Sequence, residues 1–115
     1  MDLIRAVPIL TVADLDEAIE RHSRLLGLGV IMNHGWVAFL GTADGPHFGL
    51  MTADATAPEN PVMSLEVADV DAAYASALER GVEIVHPLQN EEWGVRRFFF
   101  RDADGAVANV LSHRG

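Results

Sequence analysis

Cysteine is absent from all 115 residues, which excludes a disulfide framework, a thiolate nucleophile and a cysteine-ligated zinc, so stability must come from ordinary burial. Basic residues are scarce, with 8 Lys+Arg against 17 Asp+Glu and a formal net charge of -9. Phosphate binding needs a basic stripe, and these few arginines are scattered among carboxylates, so nucleic acid is not an expected partner. No apolar run approaches the roughly 18 residues of a membrane helix, and residues 1–9 carry Asp2 and Pro8 in place of an apolar signal core. The expectation is a cytoplasmic protein with no membrane partner. No Ser-His-Asp ordering, phosphate loop or nucleotide fingerprint occurs, and no histidines stand at His-x-His or His-x-x-x-His spacing. Acyl transfer, phosphoryl transfer and a local metal chelate are therefore unsupported.

What is present is a repeat. Thr11-Val-Ala-Asp-Leu-Asp-Glu-Ala-Ile-Glu20 returns as Glu66-Val-Ala-Asp-Val-Asp-Ala-Ala-Tyr-Ala75, and Gly41-Thr-Ala-Asp-Gly45 returns as Arg101-Asp-Ala-Asp-Gly105. The first pair is shifted from 11 to 66 and the second from 41 to 101, so the second copy holds about five extra residues, near His86 to Trp93. The spacing predicts one domain over 1–115, built from module one (1–56), a Pro-bearing linker (57–61) and module two (62–115). Each module opens with a strand, 3–12 or 62–67. A helix follows, with Leu15, Ala18, Ile19, His22, Leu25 and Leu26 on its stripe in one copy and Val70, Ala73, Tyr74, Ala77 and Leu78 in the other. Asp14 and Asp69 cap the starts, Asp14 with Glu17 in a capping-box pattern, while Gly27 and Gly81 end the helices. Three strands complete each copy, at 28–34, 36–41 and 46–53, then at 82–86, 95–101 and 106–112, with Asp-Gly turns at Asp44-Gly45 and Asp104-Gly105.

This duplicated βαβββ unit, with its Val-x-Asp-Leu/Val-Asp start and Arg-Asp-x-Asp-Gly hairpin, resembles the vicinal oxygen chelate superfamily of glyoxalases, bleomycin-resistance proteins and dioxygenases. The resemblance covers nearly the whole chain. It implies an α+β fold in which two tandem modules form a curved mixed sheet around a cleft, with the helices on the outer face. It also implies that metal-dependent members take ligands from the first and last strand of each copy, places held here by Val7, Gly49, Val62 and Asn109. Valine and glycine have no side-chain donor, and one amide oxygen holds a borderline divalent ion poorly. No metal and no cofactor are expected.

With those four residues facing inward, period-two alternation adds Ile9, Thr11, His47, Met51, Ser64, Glu66, Val107 and Leu111, and the hairpin strands add Val37, Phe39 and Gly41 with their counterparts Arg97, Phe99 and Arg101. Leu10, Val12, Leu65, Val67, Phe98 and Phe100 then face the helices. The candidate ligand-binding residues are Phe39, His47, Met51, Ser64, Glu66, Trp93, Arg97, Phe99 and Asn109. Aromatic, sulfur-bearing and isolated polar side chains suit a flat organic ligand, and Trp93, beside Gly94 in the extra segment, reads as a rim residue. Glu66 is read as a base, as a partner of Arg97 or as a partner of a ligand cation. Glu91 and Glu92 read as a solvated loop, His22 as a packing residue, and His34, His86 and His113 as surface groups.

Two functions compete. The first is metal-independent binding of a small aromatic or cationic molecule, like the sequestering bleomycin-resistance proteins that the sequence resembles, in a two-fold homodimer. The alternative is a glyoxalase-like lyase or isomerase acting on a small carbonyl or hydroxy substrate, with Glu66 as the candidate base.

Overall fold

The computed structural model describes residues 2–114. Its elements follow the repeat: β1 (Leu3–Thr11), α1 (Leu15–Leu26), β2 (Val30–Asn33), β3 (Val37–Gly41) and β4 (His47–Met51), then β5 (Met63–Val67), α2 (Val70–Glu79), β6 (Glu83–Asn90), β7 (Val95–Arg101) and β8 (Val107–His113). The fold is α+β with mixed pairing: β1 with β4 and β5 with β8 run parallel, and the hairpins run antiparallel. By internal contacts the chain divides into residues 7–56 and a second unit of 2–6 with 57–114. The strand order is β2-β3-β4-β1 in the first unit and β1-β5-β8-β7-β6 in the second, so β1 serves both and neither order closes on itself. No helix among the described residues is long and apolar enough to cross a membrane.

The helices form where capping and periodicity place them. Asp14 Oδ1 accepts from Glu17 N–H at 3.0 Å, Asp69 Oδ1 accepts from Ala72 N–H at 3.0 Å, and Gly27 leaves α1 in the left-handed conformation at φ 65°. In the first unit Leu15 and Ala18 of α1 bury against Ala38, Leu40 and Leu50, with Val12, Ile19, Leu28 and Phe48 packed around them. His22 belongs to this packing: its Nδ1 lies 2.8 Å from the Ala18 carbonyl and its ring 5.8 Å from Phe48. In the second unit Val70 and Ala73 of α2 bury against Val67, Phe98 and Val110, with Tyr74 edge-on to Phe98 at 5.0 Å. Ser112 ties the start of α2 to the sheet, donating to the Val67 carbonyl at 2.7 Å and accepting from Val70 N–H at 3.1 Å. The linker is pinned by Arg101, which reaches Glu59 at 2.8 Å and Glu83 at 3.1 Å; that guanidinium holds the exposed Glu59 carboxyl below its usual range.

Two departures from the sequence expectation have local causes. Leu10, placed under a helix by alternation, is exposed because α1 packs chiefly on β3 and β4. Strand β6 does not stop at 86 but runs to Asn90, absorbing most of the extra segment. Its register against β7 slips between Ile84 and His86 and again between His86 and Gln89. These bulges, with Pro87 lacking an N–H, suit an edge strand.

Phe98, 1% exposed, is the largest fully buried side chain between sheet and α2. Phe98→Ala is expected to cost about 3–5 kcal/mol in urea unfolding, whereas Leu25→Ala, on a side chain 79% exposed, should change stability by less than about 0.5 kcal/mol.

Candidate functional site

Alternation along each strand gives each sheet a face packed on its helix and a face turned away from it. In the first unit the face away from α1 is filled: Val7, Ile9, Val37 and Met51 are buried together, with Trp36 and Phe39 packed on them. Gly49 sits opposite Ile9 in the parallel pairing and opposite Phe39 in the hairpin. A Cβ there would lie 2.6 Å from Ile9 Cδ1 and 3.0 Å from Phe39 Cε1, so the glycine is what lets the two side chains close over the strand. His47 lies beside this cluster, edge-on to Phe39 at 5.9 Å, and its Nδ1 donates to the Gly45 carbonyl at 2.9 Å. Of the residues expected to meet a ligand, Met51 is buried in this apolar cluster and the half-buried Phe39 packs against it.

The corresponding face of the second unit is polar. Register places His86, Phe99, Asn109 and Ser64 side by side across β6, β7, β8 and β5, and the next row holds Gln89, Arg97, Leu111 and Glu66. Arg97 is 4% exposed, and its Nε donates to Glu91 Oε1 at 3.2 Å. Its guanidinium carbon lies 4.7 Å from the Phe99 ring centre and 4.9 Å from that of Trp93, a cation stacked between two aromatics. His86 completes the cluster, with Nδ1 donating to the Pro87 carbonyl at 2.7 Å and Nε2 3.5 Å from Glu91 Oε1.

Glu91 and His86 thus leave the surface roles the sequence suggested: both are 4% exposed. Their burial follows from the longer β6 and its bulges, which break the period of two from which a face could be read. Arg97 pairs with Glu91, and among the described residues the basic side chains within 4 Å of Glu66 are instead Arg5 at 3.8 Å and His113 at 3.9 Å. Phe99 is 0% exposed and belongs to the interior, while Trp93 keeps 41% of its surface open. Asn109 donates through Nδ2 to Ser64 Oγ at 3.1 Å, and its Oδ1 is buried without a hydrogen-bond partner.

The four places that the family resemblance gives to metal ligands do not fit a metal. Val7 is buried in the apolar cluster, the space beside Gly49 is taken by Ile9 and Phe39, Val62 has no donor atom, and Asn109 offers one amide oxygen. Among the described residues no group of three or more His, Asp or Glu stands close enough to hold an ion.

Residues 4–110 match the sequence profile of the Glyoxalase/Bleomycin resistance protein/Dioxygenase superfamily. No curated protein sequence matches significantly. Among solved structures, the fold is similar to that of an NAD-dependent benzaldehyde dehydrogenase from Legionella pneumophila, with 18% identity, a TM-score of 0.80, and 96% of this chain and 100% of that one covered. A glyoxalase/bleomycin resistance protein/dioxygenase superfamily member from Vibrio splendidus 12B01 is 20% identical with a TM-score of 0.74, over 96% of this chain and 99% of that one. Streptomyces coelicolor methylmalonyl-CoA epimerase, in complex with 2-nitronate-propionyl-CoA, is 21% identical with a TM-score of 0.70, over 99% and 100%.

Removing one partner of a buried ion pair takes a charge-assisted hydrogen bond from the other. Glu91→Ala is expected to cost about 1.5–3 kcal/mol in denaturant unfolding. Restoring a carboxylate at the first copy's last-strand place, Gly49→Glu, should destabilise by about 2 kcal/mol or more through overpacking and charge burial. Neither this variant nor the parent should rise in melting temperature with zinc, nickel, manganese or iron; a stoichiometric ion with a raised melting temperature would overturn the assignment of the four places.

Proposed function

Because it matches the superfamily profile over residues 4–110, the chain belongs to the glyoxalase/bleomycin resistance protein/dioxygenase superfamily, and we propose that it binds a small aromatic or cationic organic molecule without a metal, by sequestration rather than turnover. The observation that carries this reading is the state of Trp93. One face of the indole rests on the buried Arg97, which is itself held by Glu91, and 41% of the residue remains open. An exposed aromatic fixed in place offers stacking area without the entropy cost of ordering a mobile side chain. Leu111 on the neighbouring strand adds apolar surface, and Glu66 beyond it adds a negative charge. The donor-poor chemistry of Val7, Gly49, Val62 and Asn109 supports binding over metal-assisted reaction.

The same reading includes a two-fold homodimer. Leu3 and Ile4 of β1, with Val62 and Met63 at the start of β5, are between 36% and 59% exposed, an apolar area that a second copy would cover.

Calorimetric titration against a panel of cationic and aromatic antibiotics is expected to give at least one saturable, metal-independent isotherm. In a Trp36→Phe background, where Trp93 is the remaining indole, the same ligand should change tryptophan emission. Trp93→Ala should weaken binding about three- to tenfold. A panel without a single isotherm would overturn the reading, and a monomer in sedimentation at micromolar concentration would remove the dimer.

A further inference from the structure

The face that carries Trp93 also holds hydrogen-bonding capacity that the protein leaves unused. The Glu66 side chain is 18% exposed, and its contacts with Arg5 at 3.8 Å and His113 at 3.9 Å are too long for hydrogen bonds. Among the described residues it receives no hydrogen bond at all. The carboxylate is half-buried and still meets solvent, so it is open to a donor from outside the chain, from which a carboxylate accepts short, charge-assisted bonds of about 2.7–2.9 Å. On the same face, Asn109 is 8% exposed and its Oδ1 has no donor. Register ties the two together: Ser64, which accepts from Asn109 Nδ2, lies two residues before Glu66 on β5, and Asn109 lies two residues before Leu111, the neighbour of Glu66, on β8. Both unused groups are acceptors, so what they lack is a donor.

The other charged or titratable side chains facing this region do not supply one. Arg97 is engaged by Glu91 and the rings of Trp93 and Phe99. The Arg5 and His113 side chains are 47% and 64% exposed, at the solvent edge. Between the two ends of the site lies Leu111, paired with Arg97 on one side and Glu66 on the other. Two strand spacings therefore separate the Glu66 and Arg97 backbones, about 10 Å.

Resting on the binding reading above, we infer that the ligand carries both features in one molecule: an aromatic ring stacked on Trp93 and a primary or secondary ammonium donating to Glu66, joined by a short aliphatic chain lying over Leu111. Glu66 is then the residue that selects amines over neutral aromatics. Arg5 works against it, because its guanidinium shares the carboxylate with the incoming cation.

The test uses the full chain and three probes in calorimetry or by NMR shift titration: 2-phenylethylamine, its neutral analogue 2-phenylethanol, and butylamine, which has the charge without the ring. 2-Phenylethylamine should bind about tenfold or more tighter than either analogue, the size expected for a hydrogen bond to a charged group. Glu66→Gln should erase its advantage over the alcohol. Arg5→Ala should tighten the amine about two- to fivefold while leaving the alcohol unchanged, and it keeps the inference testable should Glu66→Gln fail to fold. Equal affinity for amine and alcohol in the parent chain would overturn the ammonium site while leaving the aromatic binding surface standing. Amine preference unmoved by both variants would place the cation elsewhere and also overturn it. No binding of any probe, together with an empty antibiotic panel, would remove both readings.

Discussion

The buried pair between Arg97 and Glu91 is the interaction on which the second copy's open face depends. Two charges taken out of water gain little net stability, since desolvation offsets most of their attraction. Their effect is positional. Glu91 sits at the β6–β7 turn, where its N–H donates to the Val95 carbonyl and its carbonyl accepts from Gly94 N–H and from Arg114, so the anion that neutralises Arg97 also closes the hairpin. Arg97 in turn lies against Trp93 and Phe99. The indole is thereby held at the surface by a chain of contacts that ends in the interior.

The two copies use one architecture for different ends. Val37 and Arg97, Phe39 and Phe99, Gly49 and Asn109, and Met51 and Leu111 are equivalent under the repeat, and at the first and third of these pairs the first copy holds the smaller and less polar residue. In the first copy glycine allows Ile9 and Phe39 to close over the strand. In the second, asparagine keeps a polar floor next to Ser64. Packing has taken over one face, and hydrogen-bonding groups have stayed on the other.

Much of this was legible in the chain itself. The helix starts at Asp14 and Asp69 are written in local chemistry, and β7 was readable from 95 to 101 because three consecutive phenylalanines must alternate between faces. Phe98 and Phe100 go to α2 and Phe99 goes opposite, as period two requires. The candidate site was legible only in part. Glu66, Ser64 and Asn109 share a face because β5 and β8 are regular, but β6 carries two register slips, and no counting rule brings His86 and Glu91 inward across them. A signal was available in hindsight: an arginine at an inward position needs an anion within reach, and the segment just before it carries two carboxylates, Glu91 and Glu92.

The sharing of β1 gives the duplication an unexpected asymmetry. Residues 2–6 lie with the second unit, where Asp2 accepts from Ala68 N–H, while residues 7–56 form the first. A cut in the linker, the boundary the repeat advertises, would hand those opening residues to the wrong fragment. Strand β5 would keep β8 but lose β1, and would bare a row of amide and carbonyl groups on that side. The repeat written in the sequence is therefore not the unit into which the contacts divide the chain.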